Sequence, residues 1–376
     1  MKRPERIALL SCLLGALWPA AGAAQDGETD TLTVVSWGGV YEESQRIAYF
    51  DPFEQETGVE VEVVEYEGNL EDLRAELEDG ETEWDVIDLV SADARKGCQD
   101  DLLRPIDPDI LPPAPDGTPA REDFIDGALL PCAVVQLVFS TVVAYDERAF
   151  PGEKPSGIEA LFDIERFPGK RALRKSPGAI LEWALLSYGV PRSQLYDLLS
   201  TRRGMDLAFR RLEEIRDEIV WWSDPAEPAR LLAEGEVAMA SGFNGRFYER
   251  RTEGVPISII WDHQILDYDA WAIPAGSDQP ELAEQFIAFA TQPERMAEQV
   301  RHIPYGPSRR SAMRRLGLDE QTMAPITAQL PTAEHHLGTA IWEDSEWYAR
   351  TESFRQRLFD NWLADGDPLT RGEDGN

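Results

Sequence analysis

The chain has 376 residues, 43% of them hydrophobic and 9% aromatic, with a formal charge of −34. Its length exceeds what one ordinary hydrophobic core accommodates and calls for two lobes or domains, while the apolar share excludes a disordered chain. So acidic a surface repels phosphate backbones, which excludes nucleic acid as a partner.

The N-terminus reads as a processing segment. Lys2, Arg3 and Arg6 form a positive start, Ile7 to Trp18 an apolar run, and Ala21-Gly22-Ala23 a small-residue cleavage site. The run is shorter than the roughly 20 residues of a membrane span. The pattern predicts a signal peptide over 1–23 and an exported, soluble mature chain starting at Ala24 or Gln25. Cys12, in Leu9-Leu10-Ser11-Cys12, offers a competing lipoprotein reading, but the apolar run continues past it. In an oxidising compartment Cys98 and Cys132 remain, and a disulfide between them is the simplest expectation; it would close a loop of about 35 residues and contribute roughly 3–4 kcal/mol. With no second cysteine pair and no HExxH among the four histidines, no metal site is expected.

The next segments read as β-α-β. Thr31 to Trp37 is a strand, Tyr41 to Glu56 a helix in which Pro52 marks a kink and Gly58 a stop, and Val59, Val61 and Val63 alternate with glutamates as a half-exposed strand. Leu70, Leu73 and Leu77 mark an amphipathic helix, Asp85 to Ser91 an apolar strand, and a short helix leads to Leu103. Residues 104–120, rich in Pro and Asp, form a loop. Val134 to Tyr145 is a long β-rich run fit to cross between lobes. Strands follow at 171–174, 219–222, 237–241, 257–261 and 269–273, and helices at 180–186, 193–199 and 205–216. Pro280 and Pro293 open two more helices. The last third is helical and aromatic through Trp342, Trp347, Phe354, Phe359 and Trp362, ending in a tail over 366–376. Such alternation predicts an α/β fold with mainly parallel sheet.

An ordered set of segments carries a resemblance: Leu32-Thr-Val-Val-Ser-Trp-Gly-Gly39, Phe50-Asp-Pro-Phe-Glu-Gln-Glu-Thr-Gly58, Trp84-Asp-Val-Ile-Asp-Leu-Val-Ser91, Leu102-Leu-Arg-Pro-Ile-Asp107, Phe167-Pro-Gly-Lys170, Leu232-Ala-Glu-Gly-Glu-Val-Ala-Met239, Phe243-Asn-Gly-Arg246, Trp271-Ala-Ile-Pro274 and Ile303-Pro-Tyr-Gly-Pro307. Together they span nearly the whole mature chain, which resembles the extracellular solute-binding proteins of ABC importers, of spermidine/putrescine type. The resemblance implies a type II periplasmic binding-protein fold: two lobes, each a mainly parallel mixed sheet flanked by helices, joined by crossover hinges near 139–145, 262–268 and 305–310. The first lobe would be 30–138 plus 268–308, the second 141–262 plus 310–365. It further implies a monomeric periplasmic receptor without cofactor or catalysis. Such a receptor closes on a small ligand and delivers it to a permease in the inner membrane.

Ligands of such folds meet loops at the carboxyl ends of strands. Trp37 offers a π face to a cation, and Gly38 and Gly39 allow close backbone approach; the alternative for Trp37 is core packing. Ser91 ends a strand as ligand contact or as helix cap, and Asp85 and Asp88 read as ligand contacts or turn acids. Trp222, Phe243 and Asn244 end strands of the second lobe; Asn244 can donate and accept, and one of Trp221 and Trp222 is expected in the core. Asp269 matches, by the resemblance, the acid that grips an amine; a hinge salt bridge is the alternative. Trp271 and Tyr305, with Tyr268, could add cation–π contacts. The resembled receptors carry a second acid pair where this chain has Arg174-Lys-Ser-Pro-Gly-Ala179. Arg174 or Lys175 would suit an anionic group, so a zwitterion with one amine fits at least as well as a polyamine. The rivals are a receptor for a sugar, iron or thiamine-like solute, and a secreted glycosidase, which paired acids alone leave open.

Overall fold

The computed structural model describes residues 30–366 and 368, apart from 67, 69, 79–81, 319–322 and 324. The expected signal peptide, Cys12 and nearly all of the expected tail lie outside them. In chain order the strands are β1 (Thr31–Ser36), β2 (Glu60–Glu65), β3 (Val86–Val90), β4 (Leu129–Leu130), β5 (Ala133–Asp146), β6 (Arg171–Arg174), β7 (Ile219–Trp222), β8 (Met239–Phe243), β9 (Ile257–Ala272), β10 (Gly306–Pro307) and β11 (Ile341–Trp342). They follow the path β2-β1-β3-β9-β5-β8-β6-β7, with β4 and β10 on β5 and β11 on β9.

Each end of this sheet is parallel: β1 with β2 and β3, and β6 with β7 and β8. Between them β5 and β9 form a long antiparallel ribbon shared by both ends. The sequence suggested two short strands at 257–261 and 269–273 because Asp262-His-Gln264 reads as loop. They are one strand of 16 residues interrupted by a bulge. Thr141 pairs with Ile265 and Val143 with Ile260, so Trp261, Asp262, His263 and Gln264 stand against Val142 alone, with His263 at φ 53°. The polar side chains of the bulge are bonded. Asp262 Oδ2 accepts the Ile158 N–H at 3.0 Å, and Gln264 Nε2 donates to the carbonyls of Pro331 and His336.

Two apolar cores lie on either side of the ribbon's midpoint. The first draws on 32–135 and 270–312, around Phe50, Phe53, Trp271 and Phe286. The second draws on 143–265 and 341–362, around Trp183, Phe209, Trp347 and Trp362, with a smaller group about Trp222 and Phe247. Residues after 310, expected with the second lobe, begin on the first core. Ala312 is part of it, and buried Asp123 ion-pairs with Arg309 at 3.0 Å and accepts the Ser311 N–H at 2.8 Å. Satisfying that buried carboxylate holds the segment there.

The helix over 39–57 loosens into a π turn at Arg46–Phe50 just before Pro52, whose missing N–H breaks the regular ladder, and Gly58 ends it at φ 77°. Pro280 and Pro293 open helices Pro280–Ala290 and Pro293–His302. Asp344 caps the long helix Ser345–Asp365 by accepting the Trp347 N–H at 2.9 Å. This helix meets helix Ser91–Gln99 of the other half, where Arg95 Nε donates to Ser345 Oγ at 2.7 Å. Cys98 and Cys132 are joined, their Cα atoms 5.7 Å apart, which ties helix Ser91–Gln99 to the start of β5. Among the described residues no helix is long and apolar enough to cross a membrane.

Candidate functional site

The carboxyl ends of β1, β3, β6, β7 and β8 converge on a cavity of about 230 Å³ between the two cores. Phe139 and Thr141 of β5 and Ile265, Asp267 and Asp269 of β9 line it as well.

The cavity brings together six of the residues singled out from sequence: Trp37, Arg174, Trp222, Phe243, Asp269 and Tyr305. The others lie elsewhere. Gly38 gives its backbone carbonyl to Arg246 Nη2 at 3.1 Å, behind the lining. Ser91 is buried and donates to Asp267 Oδ1 at 2.5 Å, so it orients a lining carboxylate; the cap position belongs to Val90. Asn244 is consumed by the backbone, accepting the Ser140 N–H and donating to Pro304 O, both at 3.0 Å. Trp271 is 0% exposed and packs on Tyr49, Phe50 and Phe286 in the first core. It shares a face of β9 with Asp267 and Asp269, but two residues farther along, about 7 Å, that face has passed from the cavity to the core. Lys175 is exposed, whereas its neighbour Arg174 turns inward, its guanidinium 5.9 Å from the Trp222 ring and 5.7 Å from the Phe243 ring. Trp221 packs edge-on against Phe359 and Trp362, so alternation sends one tryptophan of the pair to each side. Tyr268 turns outward to Trp342 and Asp126. Asp85 is structural, accepting from the Thr33 N–H and from Ser277.

Asp269, 6% exposed, is buried in the wall of the cavity. Burial holds its pKa well above the ordinary carboxylate range, and the charges of Asp88 and Asp267 act in the same direction; only the Tyr41 hydroxyl opposes them. Asp88 lies behind it. Its Oδ2 accepts Tyr41 Oη at 2.7 Å and Gln45 Nε2 at 2.8 Å, yet burial still lifts its pKa to about 7. Burial likewise lifts Asp267 and Asp93 to about 7.

Three cations line the same cavity. Arg246, which sequence reasoning quoted only within a motif, is 7% exposed, lines the cavity and makes no ion pair among the described residues. An added Cβ on Gly39 (φ 58°) would stand 2.6 Å from its Nη1, so that glycine gives the guanidinium room. Arg246 and Asp269 both act on buried Tyr305, with opposite signs. Burial lowers the pKa of Arg174, and Asp93 and Glu343 partly restore it. Arg355 lies 4.1 Å from the Tyr348 ring and donates to Tyr348 O at 3.1 Å. Tyr41, Asp267 and Arg355 were missed because a lone tyrosine, aspartate or arginine gives no local signal.

A profile of the bacterial extracellular solute-binding proteins matches residues 48–326. The chain belongs to that family. Across 348 residues, 92% of its own length and 94% of the relative's, it is 36% identical to the gamma-aminobutyric acid-binding protein of Pseudomonas aeruginosa. It is 24% identical over 309 residues to the spermidine/putrescine-binding periplasmic protein of Salmonella typhimurium, covering 80% and 84% of the two chains. Among solved structures, the PBP MotA of A. tumefaciens B6 in complex with glucopine superposes with a TM-score of 0.79 at 25% identity, covering 88% of this chain and 99% of the other. The receptor thus has the type II periplasmic binding-protein fold that the sequence suggested. It is a solute-binding receptor of an ABC importer, and its relatives are transport proteins, not enzymes. Its likeness to polyamine receptors holds at the level of the family, at lower identity than its likeness to the gamma-aminobutyric acid-binding protein.

Proposed function

We propose that the receptor captures a short zwitterion of the gamma-aminobutyrate type, its amine on Asp269 and its carboxylate on Arg246. One observation carries this reading: a buried acid and a buried guanidinium, neither ion-paired among the described residues, line one cavity together with Tyr305. A buried charge without a partner is costly, and a ligand bearing the two opposite charges relieves both at once. Trp37, Tyr41 and Tyr305 line the same cavity and suit an ammonium head. The 36% identical relative, a gamma-aminobutyric acid-binding protein, supports this ligand class.

In this reading the two cores are lobes that close over the ligand. The first is 30–138 with 268–308, extended by the 310–316 segment that packs on its core; the second is the remainder of 141–262 and 310–365. The ribbon β5/β9 and the bulge at Trp261–Gln264 join them. A cleaved signal peptide places the monomeric receptor in the periplasm, where it hands its cargo to an inner-membrane permease.

A diamine is the second reading, favoured by the acids Asp93, Asp267, Glu343 and Glu352, which also line the cavity. Isothermal titration with gamma-aminobutyrate, putrescine and spermidine separates the two. The zwitterion is expected to bind at least a hundredfold more tightly than putrescine, and the reverse order would overturn the proposal.

A further inference from the structure

Resting on the reading that Arg246 takes the ligand's carboxylate, we propose that this arginine also gates closure: its guanidinium seats on the Gly38 carbonyl of the opposite core, and the two cores stay together only when an anionic group of the ligand neutralises it.

The three cations of the cavity differ in what they touch. Arg355 donates to Thr351 Oγ1 and Tyr348 O on its own helix, and Arg174 lies over Trp222 and Phe243 in its own half. Those partners move with them. Arg246 projects from helix Asn244–Thr252, whose Phe247 belongs to the apolar group about Trp222. Asn244 ties the start of that helix to Ser140 of β5 and to Pro304. From this fixed base the guanidinium reaches the end of β1 in the first half, where Nη2 donates to Gly38 O at 3.1 Å. The same carbonyl accepts the Glu42 N–H at 3.3 Å, so both of its lone pairs are engaged. Gly39, at φ 58°, completes the seat, since a Cβ there would stand 2.6 Å from Nη1. A larger residue would hold the guanidinium off the carbonyl, and the two cores apart with it.

The seat carries an electrostatic cost. Arg246 is buried here, and a guanidinium cannot shed its charge by losing a proton, whereas Asp269 can shed its own by taking one. Two further acids stand near: Glu249, one turn along the same helix, and Glu65, whose carboxyl lies against Gly38. Among the described residues neither forms an ion pair with Arg246. One neutral carbonyl does not offset the water lost around a full charge. A ligand carboxylate does, because it meets the remaining N–H groups in charge-assisted bonds. The empty receptor therefore favours parted cores with Arg246 in water, and an anion-bearing ligand draws them together. An amine without an anionic group can rest on Asp269 and leave the cores apart, so Arg246 selects for the zwitterion at the step of closing.

The test combines small-angle X-ray scattering with calorimetry on the same samples. Saturating gamma-aminobutyrate should shrink the radius of gyration of the wild type, about 20 Å for a chain of this size, by roughly 1 Å. Gly39→Ala should bind gamma-aminobutyrate at least tenfold more weakly and, at saturation, keep the radius of the empty wild type. Full shrinkage by this variant overturns the proposal. Should Gly39→Ala fail to fold, Arg246→Lys takes its place: it keeps the charge but cannot serve the carbonyl and a carboxylate from one planar fork, and full shrinkage would again refute the gate. Arg246→Met needs no ligand. With the charge gone, the empty variant should already have the smaller radius, and an empty variant as extended as the empty wild type overturns the proposal. If gamma-aminobutyrate produces no heat with the wild type, the carboxylate-binding role of Arg246 falls, and the comparison of the two empty proteins alone decides on the gate.

Discussion

Replacing Asp269 by asparagine keeps the side chain's shape and removes its charge. A carboxylate about 4 Å from an ammonium, at an effective dielectric near 20, contributes about 4 kcal/mol. Part of that is offset, because the carboxyl must first ionise against its own burial and the charges of Asp88 and Asp267. Near pH 8, where that offset is smallest, a net loss of at least about 2.7 kcal/mol remains, a hundredfold in affinity. Titration calorimetry with gamma-aminobutyrate reads this directly. 4-Hydroxybutyrate, which keeps the carboxylate but not the amine, should bind both proteins alike, and the thermal unfolding of the empty variant should not drop. A change under threefold for gamma-aminobutyrate would show that the amine rests elsewhere. An equal loss for both ligands would show that the substitution had disturbed the cavity as a whole.

Other consequences follow from the same geometry. Arg246→Ala should lower affinity for gamma-aminobutyrate at least tenfold in the same calorimetric assay and leave any putrescine binding unchanged. Trp271→Ala, in the first core and away from the cavity, should destabilise the fold by about 3–5 kcal/mol in urea unfolding. Breaking the disulfide with Cys98→Ser should cost about 3–4 kcal/mol by the same measure, since the bridge spans a separation of 34 residues, and should spare ligand affinity. In the empty receptor, Asp88 and Asp267 hold protons up to about pH 7 that the unfolded chain gives up near 3.8. The folded state binds more protons in that window, so stability should fall as pH rises from 4 to 7. The melting temperature measured between pH 5 and 7.5 should show this decline without ligand and less of it with saturating gamma-aminobutyrate.

Sequence patterning made much of the fold legible. Alternating valines at 59–63, the prolines at 280 and 293 and the β-rich run at 134–145 each correspond to an observed element. The continuity of β9 was not legible, because a bulge of Trp, Asp, His and Gln has the composition of a loop, and only its long-range bonds to Ile158, Pro331 and His336 show otherwise. In the cavity, aromatic residues at strand ends stood out. Alternation could not say how far along a strand the crevice reaches, so Trp271 and Asp269, on one face, were grouped together. Arg246 looked like an ordinary helix cation, since nothing local to it tells that Gly39, some 200 residues earlier, leaves space for its guanidinium and that the Gly38 carbonyl accepts from it.

The placement of Asp269 with the first core and Arg246 with the second gives the molecule a ruler. If a zwitterion binds as proposed, ligand and protein together make a single chain of charges that runs from one wall to the other, acid to amine to carboxylate to guanidinium. The number of methylenes between the ligand's termini then fixes how near the walls can come. A homologue one carbon shorter or longer would leave a different gap, and a permease that recognises the outer surface could sense cargo length without touching the cargo.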